Sequence, residues 1–159
     1  MNMPAHLNMP AHLAGARSRG FTLIDLVIAI AIMAILMRIA FPTYQAYIVR
    51  SSRQAAQSEL VALANAQEKI YLNSSAYTSS VTGAYTGQST GTGGLGVDMT
   101  TKCGAANLSR DCRYAYTLSN VTATTFTLTA TPESSTPQAN DGALTITESG
   151  ARTWGSKTW

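Results

Sequence analysis

One stretch governs what this chain can fold into: RGFTLIDLVIAIAIMAILMRIAFP, residues 19–42, an almost unbroken apolar run that carries a carboxylate, Asp25. From Phe21 to Phe41 the run is long enough, as a helix rising about 1.5 Å per residue, to cross a hydrocarbon core of about 30 Å. A charge inside such a span costs roughly 2.5–3.5 kcal/mol on insertion scales, so Asp25 needs a partner or a task. Arg38, near the far end, is expected to snorkel to the interface. The preceding residues 1–20, MNMPAHLNMPAHLAGARSRG, repeat NMPAHL and carry Arg17 and Arg19 but no apolar core. They lack the apolar region and A-x-A site of an ordinary secretory signal and read as a hydrophilic leader.

Beyond the run the pattern changes. Ala56, Leu60, Leu63, Gln67 and Ile70 recur at intervals of three and four, which gives one largely apolar helical face. The spacing predicts one helix from about Phe21 to Asn73, roughly 80 Å long, greasy all round over 21–41 and amphipathic over 42–73. Pro42 should kink it, because proline removes a backbone donor and clashes with the preceding turn. The amphipathic half must pack on something downstream. Residues 74–112 are a Ser/Thr/Gly-dominated connection, and 113–159 hold three alternating segments, RYAYTLS (113–119), TTFTLTAT (124–131) and ALTITES (143–149). Phe126, Leu128 and Ala130 face one way, as do Leu144 and Ile146, and Gly150 turns the chain before ARTW. This predicts an α+β fold in which a three- to four-stranded antiparallel sheet lays one face on the helix.

Charge and cysteine usage narrow the function. The formal charge is +3, but Arg17, Arg19, Arg38, Arg50 and Arg53 lie in or beside the apolar run. Beyond residue 53 the cations and acids nearly balance, so the basic total is poor evidence for a nucleic-acid-binding domain. Cys103 and Cys112 lie close together behind a membrane segment and read most simply as a disulfide in an oxidising compartment, worth roughly 2.5–3 kcal/mol for a loop this short. Both histidines, His6 and His12, are far from them, so no metal site is expected. GTGGLG (91–96) fits a dinucleotide fingerprint by its letters. It lacks the strand before and the helix after, and is expected to be a flexible loop. With no histidine in the globular part and no nucleophile motif or useful carboxylate pair, neither an enzyme nor a cofactor is expected. Lys102, Arg110 and Arg113 bracket the cysteine loop and form a candidate basic patch.

The segment RG-FTLIDLVIAIAIMAIL…IAFPTYQAYIVRS resembles the N-terminus of type IV pilins, whose pattern is a short basic leader ending in Gly, then F-T-L-I-E and a hydrophobic helix. The match runs from about Arg17 to Arg53, with Pro42, Tyr44 and Tyr47 in the family's places. The resemblance implies that a prepilin peptidase cuts between Gly20 and Phe21 and methylates the new N-terminal Phe21. It also implies that Asp25, standing where the family has a glutamate, pairs with the Phe21 ammonium of a neighbouring subunit. The globular part resembles the PilE-type minor pilins, through AQEKIYLNSSAYTSS and FTLTATPESSTPQANDGALTITESGARTWGSKTW, although both cysteines of their C-terminal ending are missing here.

The function so implied is that of a structural subunit of a type IV pilus serving adhesion, motility or DNA uptake. The precursor would sit in the inner membrane in contact with lipid. It would then join other pilin subunits through the inner-membrane assembly machinery to form an extracellular fibre. One alternative is a pseudopilin of a type II secretion system. Another is a DNA-binding minor pilin for natural transformation that contacts DNA through Lys102, Arg110 and Arg113. An ordinary single-pass anchored enzyme would instead keep an uncut N-terminus.

Overall fold

The structure is a computed structural model that describes residues 21–85 and 93–159. The expected leader 1–20, with its cleavage residue Gly20, lies outside the described residues, as do the first two residues of GTGGLG. One long helix, α1 (Leu23–Ser74), is followed by a single helical turn, α2 (Thr100–Cys103), and five strands. The chain divides into two compact units, one reaching Ala40 and the other running from Phe41 to Trp159.

Among the described residues of the first unit the helix has nothing to bury against. Its apolar window has no buried residue, and Leu23, Met33, Leu36 and Ile39 are all more than half exposed. Such a surface is tolerated only in lipid or against other apolar helices. Pro42 lies inside α1.

In the second unit the helix buries one face: Ser52, Ala56, Leu60, Ala64, Gln67 and Ile70. Leu63, expected on that face, packs at its edge and Ala64 takes the central place. The strands are β1 (Tyr114–Ser119), β2 (Thr127–Pro132), β3 (Leu144–Thr147), β4 (Arg152–Trp154) and β5 (Lys157–Thr158), an antiparallel meander in sequence order. Alternation decides which face is covered. Tyr114, Tyr116, Leu128, Ala130, Leu144 and Ile146 are buried and their strand neighbours are not. Across the sheet Tyr116 stands opposite Ala130, and Ala130 opposite Leu144, so one small side chain lies between two large ones. The expected three to four strands become five because the chain turns at Gly155 (φ +55°) and adds the two-residue β5.

The connection between helix and sheet is built rather than loose. Gln67 is fully buried and reads the backbone of Thr78: its Nε2 donates to Thr78 O (2.8 Å) and its Oε1 accepts from Thr78 N (3.0 Å). The Thr78 hydroxyl donates to Gly93 O at 2.6 Å. The expectation of a flexible loop over GTGGLG is corrected for its described residues. Gly93, Gly94 and Leu95 are buried, and residues 94–97 hydrogen-bond to 80–84. Glycine is required here by close approach, since a Cβ on Gly94 would lie 2.6 Å from Gly83 O.

Candidate functional site

Among the described residues, three places carry exposed chemistry. The first is the start of α1. Thr22 and Asp25 form a reciprocal cap: the Thr22 hydroxyl donates to Asp25 Oδ2 (2.6 Å), Thr22 N donates to the same oxygen (3.1 Å), and Asp25 N donates to Thr22 Oγ1 (3.3 Å). This is the S/T-x-x-acid capping arrangement, and it also sets a negative charge at the positive end of the helix dipole. Phe21 is 93% exposed next to it. Sequence reading gave Asp25 an intermolecular partner; within one chain its carboxylate is held by Thr22.

The second place is the cysteine loop. Cys103 and Cys112 are joined in a disulfide, with Cα atoms 5.4 Å apart. Inside the loop, Gly104 ends α2 in the left-handed region and donates to Thr100 O. The Lys102 ammonium donates to Arg110 O, which brings two of the three expected patch residues together on an exposed edge. Glu59 on the helix ties the loop down by accepting from Arg110 N (3.3 Å) and from the Tyr116 hydroxyl (2.7 Å). Burial, then the Glu59 bond, pushes the Tyr116 phenol well above its ordinary pKa. Arg113, the third patch residue, sits apart from Lys102 and Arg110 in a different groove with Phe41, Tyr44, Gln45, Ile48 and Pro137.

The third place, which sequence reading missed, is the β4–β5 hairpin. Two triplets, RTW (152–154) and KTW (157–159), pair so that Trp154 stands opposite Lys157. Lys157 Nζ lies 5.5 Å from the Trp154 ring centroid, and the Arg152 guanidinium lies 5.1 Å from that of Trp159. Arg152 and Lys157 are both exposed. The repeated basic-Thr-Trp triplet was the signal that could have found this edge.

Beneath the hairpin lies a polar node. Trp154 also covers the Arg53 guanidinium at 3.6 Å, and Arg53 is ion-paired with Asp141, whose side chain is only 3% exposed. Asp141 further accepts from the Tyr114 hydroxyl and from Gln138 Nε2, and its backbone carbonyl accepts from Trp154 Nε1. Burial raises the Asp141 pKa, but the bonds from Arg53, Tyr114 and Gln138 outweigh it and hold the carboxyl below its usual value. Among the described residues no group of His, Cys, Asp and Glu could hold a metal ion.

Comparison with known proteins fits this geometry. Residues 15–41 match the prokaryotic N-terminal methylation motif. Residues 42–145 match the family described as type IV minor pilin ComP, DNA uptake sequence receptor. The chain belongs to the ComP family of type IV minor pilins. Curated relatives match over less than half of its length. A fimbrial protein of Pseudomonas aeruginosa is 45% identical over 64 residues, 40% of this chain and 42% of that protein. The type IV major pilin protein PilA of Myxococcus xanthus is 41% identical over 61 residues, 38% of this chain and 28% of that protein. The type IV major alpha-pilin of Moraxella bovis is 52% identical over 44 residues, 28% of each chain. The chain thus spans less than half the length of the curated relatives it matches, while the ComP match takes in the helix from Pro42 and the sheet as far as the start of β3, ending before the β4–β5 hairpin.

Proposed function

We propose that this chain is a minor subunit of a type IV pilus that carries DNA contacts on its outer surface. The observation that carries the reading is the ComP match over 42–145, following directly on the methylation motif over 15–41. The wholly exposed apolar helix ahead of a packed α+β domain supports it. In this reading a prepilin peptidase cuts between Gly20 and Phe21 and methylates Phe21. The precursor waits in the inner membrane, and assembly moves the 21–41 helix from lipid into a bundle of other pilin helices. Asp25 then meets the Phe21 ammonium of an adjacent chain, two charges compensating each other where little water is present. Ala29, Ala31 and Ala34 let neighbouring helices approach closely, and Pro42 gives the helix its bend where the span ends. The part played is structural and ligand-binding, not catalytic.

For DNA, the exposed cations Lys102 and Arg110 at the cysteine loop and Arg152 and Lys157 on the hairpin supply phosphate contacts, and the indole edges beside them supply apolar surface. Arg113, half-buried in its own groove, stands outside this surface. The test begins with intact mass and N-terminal sequence of the chain from membranes and from sheared surface material. A methylated Phe21 start in both fractions, with DNA binding by the full chain that weakens when Lys102 and Arg110 are neutralised, is the expected result. A cleaved chain found only in membranes would favour the pseudopilin reading, and an uncut chain would remove the pilin reading.

A further inference from the structure

From the chemistry of a pocket beside the cysteine loop we infer that the domain takes up an unstacked guanine base of DNA, an inference that rests on the DNA-binding reading above. The pocket, about 200 Å³, lies wholly in the second unit, between α1 and the chain on either side of α2. Leu63, Leu95, Val97, Met99 and Leu108 give it apolar walls, Leu95 and Leu108 being buried. Glu59 is its carboxylate and Arg110 its cation. The two do not cancel. The ion pairs among the described residues are Arg53–Asp141 and Arg113–Asp111, so Glu59 has no counter-ion there. Its Oε2 accepts from Arg110 N and from the Tyr116 hydroxyl, while no described residue donates to Oε1. A carboxylate oxygen with free lone pairs, set among apolar walls, is an acceptor offered to whatever enters the pocket.

The occupant must suit both charges. Arg110 is exposed, and the Lys102 ammonium, also exposed, donates to its carbonyl, so two cations stand beside the pocket and disfavour a cationic guest. A nucleotide carries what each part needs: a phosphate for Arg110 and Lys102, a flat ring for the apolar walls and ring-edge donors for Glu59. Among the bases, guanine suits a carboxylate best. Its N1–H and N2–H donors stand side by side. In cytosine and adenine a ring-nitrogen lone pair lies next to the amino group, and thymine flanks its one donor with two carbonyls. Such a base has to leave its stack, and unpaired or mismatched positions do so at least cost. The pocket thus adds base selection to cations that by themselves only hold the backbone.

The test measures binding of the full chain in neutral detergent to labelled duplexes, read by fluorescence anisotropy. The duplexes are fully paired or carry an extrahelical guanine, an extrahelical thymine or an abasic site at the same position. The guanine duplex binding roughly tenfold tighter than the others is the expected result, in line with a two-donor base contact. E59Q should erase that advantage, because the amide keeps its oxygen for Arg110 N and Tyr116 and turns its NH2 toward the base. A62F keeps the test valid if E59Q loosens the loop. Ala62 lines the pocket but is exposed and outside the core, so the added ring should fill the pocket with paired-duplex affinity and thermal unfolding unchanged. Paired duplex bound with no advantage for guanine, or an advantage that survives either variant, overturns the proposal and leaves the DNA reading standing. No binding to any duplex overturns both. Guanosine monophosphate held as tightly as the guanine duplex would make this a free-nucleotide site and overturns the proposal as well.

Discussion

Asp25 has one task in the structure and a second in the proposed fibre, and single substitutions can separate them. It caps α1 through Thr22, and in the proposed fibre it neutralises the Phe21 ammonium of the next chain. D25N keeps a side-chain oxygen for the Thr22 N–H but loses the charge. Helicity by far-UV circular dichroism should then be unchanged, while chain recovered in sheared fibres falls roughly tenfold or more, as expected when one member of a desolvated charge pair is removed. D25E should retain assembly, because charge is kept and reach is gained. Fibre yield unchanged in D25N would reduce Asp25 to a cap. Asp141 is the other residue with one dominant job. D141N leaves Arg53 without its counter-ion under Trp154 and should cost roughly 3 kcal/mol in chemical denaturation. The sign of its pH dependence follows from its depressed pKa. That stabilisation is present above about pH 4, the ordinary aspartate value, and is lost as pH falls through the lower folded-state pKa. Acid unfolding of the wild type should therefore include a step that D141N lacks.

The elements were legible to the extent that periodicity is. The 3.6-residue pattern placed Ala56, Leu60, Gln67 and Ile70 on the buried face, and period-two alternation placed Phe126, Leu128, Ala130, Leu144 and Ile146 under the sheet; all are buried. Periodicity could not say why Gln67 is there. Its amide completes the backbone of Thr78, a role that depends on where the connection folds back. Nor could it show the 80–84 and 93–97 segments pairing, because nothing in a Ser/Thr/Gly run specifies a partner. Q67L removes both bonds while keeping bulk, and should destabilise the domain by roughly 2–4 kcal/mol, the cost of two buried backbone groups left unpaired; thermal or urea unfolding checks this. Among the candidate sites, the cysteine pair and Asp25 were visible as residue types at informative places. The Arg53–Asp141 node joins positions 88 apart in sequence, and no local pattern carries such a pairing. The 103–112 disulfide holds the loop on which Lys102 and Arg110 stand. C103S/C112S should lower stability by roughly 2.5–3 kcal/mol and weaken any DNA contact made by that loop.

At the scale of the whole molecule the modest formal charge of +3 argues against a general polyanion binder. DNA affinity, if the ComP likeness carries over, must come from local clusters. The described surface offers two: Lys102 with Arg110, and Arg152 with Lys157 on the hairpin. If all four meet phosphates, the logarithm of the binding constant should fall with that of salt at a slope of about −3 to −4, since each neutralised phosphate contributes about 0.9 on duplex DNA. K102Q/R110Q and R152Q/K157Q should each reduce that slope by about 2, whereas R113Q should leave it unchanged because Arg113 sits in a separate groove. The hairpin variant also loses two cation–aromatic contacts, so near-UV circular dichroism must confirm that Trp154 and Trp159 keep their places. A slope insensitive to both double variants would mean that the cations in contact with DNA are elsewhere on the chain. A slope lowered only by the hairpin variant would put recognition on the repeated basic-Thr-Trp edge, and the cysteine loop would then be a brace for the fold with no ligand of its own.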